Sequence, residues 1–501
     1  MRKIKEINRR QFLGSTATAA ALAALPGRVL GGTPRITPNN KITIAFIGTG
    51  TMGTRHLIRS LKCPELQIVS VCDPNKSSTD YLEWIEYGLR KTIREFLGDP
   101  SWGEGDNGCR AGREQALQIV NRYYAKTRKK DEYRGCTAYA DFRELLEKEK
   151  DLDAVYIMTP EHLHATIAIA AMKKGIHVIT HKTLSNVFHE VGLAADTARK
   201  SGVISHMLGS YDFQDRFFLK SWLQDGTIGT LREIHLWTNR PVWPQGMEKP
   251  IETPSAPNGL DWNLWLGPTQ HRPYHPMYTH TLFRAWYDFG SGALGDMGSY
   301  ALYQLYKMFD FGVPTKIEAR RTVTRKIQGF HTVQQSRNDS FPHASTVRFD
   351  FPANAELPPV SLYWYEAGLK PPRPVELEEG RQLQKEGVLF VGDKGKIMAG
   401  FRGRSPRLIP ESRMKNCKRP DVIIPKFKGS EWGKWISAIQ KNEPSDGDFA
   451  HIQPMAETIC LGTIAQRLGA SLDWDADKKQ FTNAPEANKL LYRKYRKGWE
   501  L

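Results

Sequence analysis

The sequence predicts an α/β protein with two domains, a doubly wound parallel sheet followed by an α+β domain with a large, open-faced, mostly antiparallel sheet. As far as about residue 208, apolar runs of strand length alternate with helical segments, the pattern of a parallel sheet covered by helices. Beyond that point apolar residues alternate at period two, which favours antiparallel strands with one covered face. A length of 501 residues also favours more than one domain.

The first predicted strand leads into a glycine-rich turn and then into helix-forming residues. The turn reads Gly48-Thr-Gly50-Thr51-Met52-Gly53 and matches GxGxxG. Gly48 allows the tight turn, Gly50 lets a pyrophosphate approach the backbone, and Gly53 lets the helix pack on the sheet. The phosphates are expected at the helix N-terminus, beside Thr51 and Met52. The turn therefore predicts a Rossmann dinucleotide-binding domain.

A second apolar run, residues 66–72, ends at Asp73, which lies 20 residues after Gly53. An acid at this position suits the ribose 2′-hydroxyl of NAD and repels the 2′-phosphate of NADP. We therefore expect NAD as the cofactor, with NADP disfavoured. The alternative is an ordinary glycine turn without a nucleotide.

The remaining elements follow in order along the chain. After Asp73 a polar insertion of about residues 74–134 replaces the usual short crossover. The alternating pattern then resumes with predicted strands at 154–158, 177–180 and 203–207 and predicted helices at 163–174 and 187–200. We assign residues 41–208 to the nucleotide domain and 209–501 to a second domain for substrate and oligomer contacts, with predicted strands at 231–237, 345–351 and 360–365.

Residues 1–32 resemble a twin-arginine export signal. Arg9 and Arg10 precede a mildly apolar Ala/Thr-rich run that ends at Leu25. An ordinary amphipathic helix is the alternative. The run is too short to span a bilayer, and no other stretch reaches that length. We therefore expect no stable transmembrane segment, the twin-arginine export machinery as a partner, and a periplasmic protein exported already folded.

Charge and cysteine content exclude two classes of site. Lys and Arg number 71 against 54 Asp and Glu, a net charge of +17, but the excess is scattered and forms no arginine-rich tract. We therefore expect no nucleic-acid partner. The six cysteines form no CxxC pair, so no metal site is expected.

Four motifs occur in the order that the Gfo/Idh/MocA oxidoreductases show, and the chain resembles that family from Lys41 to its end. They are the glycine turn, Thr159-Pro160-Glu-His162-Leu-His164, His181-Lys182-Thr183, and the stretch from Gly290 to Asp296 and Tyr300. Further stretches, at 237–246, 261–268, 369–374 and 496–499, resemble an exported branch of the family. The resemblance implies a two-domain oxidoreductase, and we expect a homo-oligomer.

Lys182 matches the family's Glu-Lys-Pro lysine, which reaches both the nicotinamide ribose and the substrate hydroxyl. Here His181 replaces the acid and Thr183 the proline. A cis peptide bond costs roughly 2.5–4 kcal/mol before a residue other than proline. We therefore expect this lysine to be presented differently, and a solvated lysine is the alternative.

Asp296 and Tyr300 match the family's aspartate and histidine, which lie four residues apart on one helical face. Tyrosine titrates near pH 10, so it needs a neighbouring cation to act as a proton acceptor, and Lys182 is the candidate. The alternative for Tyr300 is a packing role. We predict Lys182, Asp296 and Tyr300 as catalytic.

The segment after the predicted strand at 154–158 is expected to contact the cofactor through Thr159, Pro160, His162 and His164. The two histidines alternate along the chain, so they do not form an i,i+4 metal pair. A structural role at a helix start is the alternative for them.

Arg240, Trp243 and Gln245 combine an aromatic surface with guanidinium and amide donors, which is the mixture expected around a sugar or polyol. We predict that they bind substrate, and burial in the core is the alternative.

The sequence therefore predicts an NAD-dependent oxidoreductase that transfers a hydride between NAD and a hydroxyl-bearing carbon of a carbohydrate or polyol. Two alternatives stay open. One is a redox-neutral, NAD-dependent glycosidase that acts by oxidation and elimination, as some members of the superfamily do. The other is a nucleotide-bound protein without turnover, which the replacements at His181 and Thr183 would favour.

Overall fold

The computed structural model describes residues 41–83, 85–128, 135–209, 215–335, 339–417 and 431–501. The predicted export signal, residues 1–32, lies outside the described residues. The chain divides into two compact units. The first runs to Thr159 and adds Lys174–Val178 and Pro257–Trp265, and the second comprises Pro160–Lys173, Ile179–Ala256 and Leu266–Leu501. The linear boundary between residues 208 and 209 stays a prediction.

The first sheet has six strands in the order β5-β2-β1-β6-β7-β8, and the pairings of β1 with β2 and β6, and of β2 with β5, are parallel. Apolar residues fill β1 and β2 because both faces of a doubly wound sheet are covered. The strands from the start of the chain are β1 Ile42–Ile47, β2 Leu66–Cys72, β3 Ser78–Tyr81, β4 Cys109–Ala111, β5 Thr137–Tyr139, β6 Ala154–Ile157, β7 His177–Thr180 and β8 Ser205–Met207.

The helices that accompany these strands alternate with them along the chain, except that β3 follows β2 directly at the start of the insertion. They are α1 Thr51–Leu61, α2 Gly88–Leu97, α3 Arg113–Thr127, α4 Phe142–Lys148, α5 His164–Lys173 and α6 Phe188–Ser201. The predicted insertion contains β3 and β4, which pair as an antiparallel hairpin, together with α2 and α3. Leu89, Ile93 and Leu97 are the buried residues of α2, and they are four residues apart, as on one face of an amphipathic helix.

The second sheet has nine strands in the order β17-β16-β15-β9-β14-β13-β10-β18-β19. Its described pairings are antiparallel except that of β14 with β9. Buried and partly exposed residues alternate along β13 and β14, which gives the sheet one covered face. The strands are β9 Leu231–Trp237, β10 Lys316–Arg321, β11 Arg325–Gln328, β12 His331–Gln334, β13 Ser345–Phe351, β14 Val360–Tyr365, β15 Gly387–Gly392, β16 Lys396–Gly400, β17 Arg404–Ile409, β18 Ser471–Asp475 and β19 Gln480–Phe481.

The strands β11 and β12 form a separate two-stranded hairpin. The helices of this part of the chain are α7 Asp215–Gln224, α8 Trp262–Leu266, α9 Ser299–Met308, α10 Glu411–Lys415, α11 Glu431–Lys441, α12 Phe449–Leu468 and α13 Pro485–Asn488. The longest, α12, is buried along most of its length. The predicted fold class, a parallel Rossmann sheet followed by a domain with a large, mostly antiparallel sheet, is confirmed.

Candidate functional site

The glycine turn, Gly48–Gly53, lies in the first unit between β1 and α1. Gly48 has φ +93, a backbone conformation that favours glycine. A Cβ there would lie 2.5 Å from the carbonyl carbon of Met158, and a Cβ at Gly53 would lie 2.0 Å from the Gly48 oxygen. The helix begins at Thr51, and its N-cap residue, Gly50, has no side chain with which to cap it. The turn therefore has the close backbone packing and the open helix N-terminus that a pyrophosphate site needs.

Asp73 closes this turn through backbone hydrogen bonds. Its carboxylate accepts the N–H of Thr49 at 2.7 Å and the N–H of Asn75 at 2.8 Å. Burial raises the pKa of Asp73, and these two hydrogen bonds oppose the shift. Each carboxylate oxygen has two lone pairs, so the residue retains acceptor capacity for a ribose hydroxyl. Its predicted cofactor role stays a prediction.

Tyr81, from the hairpin β3–β4, packs on the glycine turn. Its ring carbon Cε1 lies 3.1 Å from where a Cβ at Gly50 would be, and its hydroxyl accepts a hydrogen bond from Asn75 Nδ2 at 3.0 Å. Sequence reasoning missed this residue because the insertion matches no motif. The lack of a side chain at Gly50 therefore leaves room for an aromatic ring of the insertion.

Lys182 lies in the second unit, two residues after the end of β7, and its ammonium contacts Asp296 Oδ1. Lys182 is 2% exposed and Asp296 is 6% exposed. Burial lowers the pKa of Lys182, and the carboxylate opposes this. Burial by itself would raise the pKa of Asp296, but Lys182 and Arg284 outweigh it and hold that pKa below its usual range. The peptide bond between Lys182 and Thr183 is cis. The sequence led us to expect otherwise, because threonine stands where the family has proline.

Tyr300 is the second residue of α9, and its ring lies beside two cations. Lys182 Nζ is 5.2 Å and Arg402 Cζ is 4.1 Å from the ring centroid. Asp296 belongs to a single π-helical turn, Leu294–Gly298, that precedes α9. Such turns replace i→i+4 hydrogen bonds by i→i+5, so a simple α-helical offset does not describe the pair. Both residues nevertheless contact Lys182, so the structure brings the three predicted catalytic side chains together.

Two further charged side chains lie in the same place, and sequence reasoning missed both. Arg284 is 9% exposed, and its Nε lies 3.6 Å from Asp296 Oδ1. Glu161 is 2% exposed, and the charges that act on it are those of Lys182, Arg284 and Asp296. We call Glu161, Lys182, Arg284 and Asp296 the buried charge cluster. It holds two cations and two carboxyl groups.

The two predicted histidines are almost fully buried. His164 Nδ1 lies 2.6 Å from the carbonyl oxygen of Thr183, and it is the donor because a carbonyl only accepts. The backbone N–H of His162 donates to the Phe289 carbonyl at 3.3 Å, and its ring packs edge-on against the Phe289 ring. His164 therefore fixes the peptide that follows Thr183, one residue after Lys182. Thr159 and Pro160 lead into this segment, and contact of these four residues with a cofactor stays a prediction.

The predicted substrate residues differ from one another in exposure. Trp243 and Gln245 are buried, with Trp243 Nε1 donating to Gln245 Oε1 at 3.1 Å and Gln245 Nε2 donating to the Pro342 carbonyl at 2.9 Å. Arg240 is partly exposed, and its charge lowers the pKa of Asp296. Arg240 is therefore electrostatically coupled to the buried charge cluster, whereas the hydrogen bonds of the other two residues hold the local fold.

Comparison with known families assigns the chain to a class of enzymes. A model described as "Oxidoreductase family, NAD-binding Rossmann fold" matches residues 104–209. A second, "Oxidoreductase family, C-terminal alpha/beta domain", matches residues 233–340 and 372–501. Both models describe the Gfo/Idh/MocA oxidoreductases, and the chain belongs to that family. The glycine turn precedes the first matched range.

Among characterised relatives, the chain is 31% identical over 93 residues to levoglucosan dehydrogenase of Pseudarthrobacter phenanthrenivorans. It is 28% identical over 172 residues to a glycosyl hydrolase family 109 protein of Stenotrophomonas maltophilia. These alignments cover 18% and 34% of this chain and only 24% and 29% of the two relatives.

Among solved structures, the WlbA dehydrogenase from Chromobacterium violaceum, in complex with NADH and UDP-GlcNAcA, is similar in fold. The TM-score is 0.52 at 15% identity, covering 89% of this chain and all of that one. Among the described residues, no group of three His, Cys, Asp or Glu side chains could hold a metal ion. In the same part of the chain, no helix is both long and apolar enough to cross a membrane.

Proposed function

We propose that the protein transfers a hydride between NAD and a hydroxyl-bearing carbon of a carbohydrate or polyol. The observation that carries this proposal is the buried contact of Lys182 with Asp296, with the Tyr300 ring beside the same ammonium. A buried ion pair is expensive to maintain for stability alone. Its placement next to a phenol supports a site for proton transfer.

The glycine turn supports NAD as the cofactor, because its close packing at Gly48 and Gly53 leaves no room for side chains where a dinucleotide needs the backbone. When bound, NAD supplies the redox chemistry by accepting or returning the hydride. Asp73 would favour NAD over NADP. The residues proposed to hold the cofactor are Gly48, Gly50, Thr51, Met52, Gly53, Asp73, Thr159, Pro160, His162, His164 and Lys182.

The second unit would handle the proton. Lys182 or Tyr300 takes the proton of the substrate hydroxyl, and Asp296 orients the amine. Burial lowers the pKa of Lys182, so its neutral form, which can accept a proton, is more accessible than for a solvated lysine. His164 holds the carbonyl of Thr183 and with it the backbone that carries Lys182.

The relatives support a sugar-like substrate. One is named levoglucosan dehydrogenase, and others are named as reductases of a dTDP-linked deoxy sugar. Arg240 is proposed to bind substrate, since its charge acts at Asp296. Trp243 and Gln245 are proposed as the buried support of that surface, with direct substrate contact as their predicted alternative role.

A redox-neutral glycosidase is the second candidate, because two relatives carry the name of glycosyl hydrolase family 109. In that reaction an oxidised sugar intermediate would eliminate the aglycone and then be reduced again. The same Lys182, Asp296 and Tyr300 would serve both reactions. Binding without turnover is less well supported, since it gives no reason to bury this ion pair.

Tyr300→Phe tests the proposal. The purified protein is supplied with NAD and a panel of sugars and polyols, and reduced nucleotide and keto-sugar are measured together. The variant should lower kcat by about 10²–10⁴, the range for a lost general acid–base group, with nucleotide affinity retained.

Tyr303→Phe is the matched control, one turn later on α9. The Tyr303 hydroxyl donates to the Asp446 carbonyl at 2.7 Å, so this variant loses a structural hydrogen bond and should keep its kcat. Equal turnover by Tyr300→Phe and the parent would reassign the proton relay. Aglycone released from glycosides without added nucleotide would instead identify the glycosidase.

Export to the periplasm and a homo-oligomeric state are proposals from the sequence. Export rests on Arg9 and Arg10, and fractionation of cells that express a variant with both changed to lysine tests it.

A further inference from the structure

Residues 492–499 form neither helix nor strand, and the proposed function gives them no role. They include the stretch 496–499, which resembles an exported branch of the family. Irregular segments normally run over the surface, but the side chains of Arg493 and Trp499 are buried. Specific contacts with other parts of the second unit therefore hold this segment in place.

The first of these contacts is a buried ion pair. Arg493 Nε lies 2.9 Å from Glu190 Oε1, and the two side chains are 8% and 0% exposed. The Tyr495 hydroxyl donates to the same oxygen at 3.1 Å, and Ser185 Oγ donates to Glu190 Oε2 at 2.7 Å. Both carboxylate oxygens are hydrogen-bonded, as a buried charge requires. A buried pair of this kind often adds little net stability, and its effect is to fix the position of the chain on either side.

The same guanidinium reaches the segment 181–187, which joins β7 to α6 and carries Lys182. Arg493 Nη2 donates to Asn186 Oδ1 at 2.6 Å. Asn186 Nδ2 in turn donates to the Tyr287 carbonyl at 3.0 Å. One arginine therefore binds both the end of the segment that carries the lysine and the carboxylate on α6 that follows it.

Residues 492–499 also contact the other support of this lysine. Arg496 Nε donates to the Gly267 carbonyl at 2.9 Å. A Cβ at Gly267 would lie 2.4 Å from Leu163 Cδ2 and 3.6 Å from Trp499 Cζ3. Leu163 precedes His164, whose ring holds the backbone carbonyl one residue beyond the proposed catalytic lysine. Both supports of the lysine are therefore packed against the same irregular segment.

We propose that Arg493 is a positioning residue for Lys182, an inference that rests on the proposed dehydrogenase function. Its guanidinium joins Asn186 to Glu190 and so limits movement of the backbone that carries the amine. Lysine has a flexible four-carbon stem, and the contact of Lys182 with Asp296 fixes only its tip. A displacement of about 1 Å at a reacting group can cost about 10²-fold in rate. Arg493 acts through the backbone, and it is not proposed to touch substrate or cofactor.

Amide hydrogen exchange, read by mass spectrometry on the full-length protein, tests the proposal without substrate. Arg493→Met should speed exchange in the peptide that spans 181–187 by about 10-fold or more, the scale for losing hydrogen bonds from a charged group. Arg407→Met is the matched control, because Arg407 pairs with Glu378 at 3.2 Å elsewhere in the second unit. It should leave exchange in that peptide unchanged. Parental exchange at 181–187 in Arg493→Met would overturn the proposal.

Kinetics provide the second readout. Arg493→Met should lower kcat by about 10- to 10²-fold with KM and NAD affinity little changed, because binding survives while the amine is misplaced. Arg493→Lys keeps a cation and should recover part of kcat, and it replaces the methionine variant if that one does not fold. Arg407→Met should keep the parental kcat. Equal loss of kcat in Arg407→Met and Arg493→Met would refute a specific positioning role.

The double variant Arg493→Met with Glu190→Gln separates positioning from stability. It removes both charges of the buried pair, so thermal stability should return towards that of the parent. The bond to Asn186 is still lost, so kcat should stay low and exchange at 181–187 should stay fast. A double variant with the kcat of the parent would refute the proposal. A parent that oxidises no sugar would refute the proposed function only, because the exchange result stands separately.

Discussion

The glycine turn and the buried charge cluster use the chain in opposite ways. The turn is built from backbone: a Cβ at Gly53 would lie 2.0 Å from the Gly48 oxygen, so what it requires is the absence of side chains. The cluster is built from four charged side chains that come from distant parts of the sequence. The turn should therefore be sensitive to added volume. The cluster should be sensitive to altered charge and tolerant of changes that keep its charge balanced.

The largest expected effect is that of Lys182→Met, which removes the amine and keeps a side chain of similar length. We expect kcat to fall by about 10²–10⁴. The variant also leaves Asp296 without its ammonium partner, and removing one member of a buried pair costs about 3–5 kcal/mol. The pKa of Asp296 should rise, so this loss of stability should be smaller at lower pH. Steady-state kinetics and thermal unfolding across pH measure both effects.

The double variant Lys182→Met with Asp296→Asn is the control. It removes one positive and one negative charge together, and balanced replacement of a buried pair is often neutral. Stability should return while activity should not. A double variant as unstable as Lys182→Met would show that packing rather than charge holds the cluster.

Gly53→Ala tests the glycine turn. The added methyl would meet the Gly48 oxygen, and relief of that overlap would cost about 1–3 kcal/mol. Nucleotide affinity should therefore fall by about 10- to 10²-fold, at tenfold for each 1.4 kcal/mol. Equilibrium binding of NAD measures it.

Gly192→Ala is the matched substitution in a helix. Gly192 lies inside α6, where the nearest atom to an added Cβ is Gln453 Nε2 at 4.0 Å. This change should stabilise the protein by up to about 1 kcal/mol, since alanine favours the helix, and should leave affinity unchanged. If Gly53→Ala bound NAD as tightly as the parent, the glycine turn would be shown to accommodate an added methyl group.

The same contrast explains what could be predicted from the sequence. The glycine turn, and strands such as β2 and β13, are determined by residues that are adjacent in the sequence. Apolar runs and the spacing of the glycines therefore locate them within a residue or two. Lys182, Asp296 and Tyr300 were found through their motifs, and the structure brings them together.

The rest of the cluster could not be predicted. Glu161 follows a proline at a helical turn, where an acid is ordinary because it favours the helix N-terminus. Arg284 belongs to no motif, and only the fold brings it to Asp296. The π-helical turn at Asp296 leaves no mark in the apolar pattern, and the hairpin residue Tyr81 is joined to Gly50 only in three dimensions.

The smallest expected effect belongs to Asp446, a half-exposed counterpart of the buried charge cluster. Its Oδ2 lies 2.8 Å from Lys434 Nζ and 3.0 Å from Lys307 Nζ. Partial burial opposes ionisation, but the two lysines outweigh it and lower the pKa of Asp446 to about 2. The carboxyl is 38% exposed, so solvent screens these contacts and their contribution to stability is only about 1 kcal/mol.

Because the pKa of Asp446 is lower in the folded protein than its unfolded value of about 3.9, its stabilising effect is complete above that pH and is lost as the pH falls towards about 2. Asp446→Asn should therefore lower Tm by about 1–2 °C at neutral pH, and the difference from the parent should shrink below about pH 4.

Asp196→Asn, in an exposed ion pair with Arg199, should leave Tm unchanged at every pH. Activity should be retained in both variants, because neither carboxylate belongs to the buried charge cluster. A Tm difference for Asp446→Asn that stays constant down to pH 3 would assign the effect to lost hydrogen bonds. In that case the ion pairs of Asp446 with Lys307 and Lys434 would contribute little to stability.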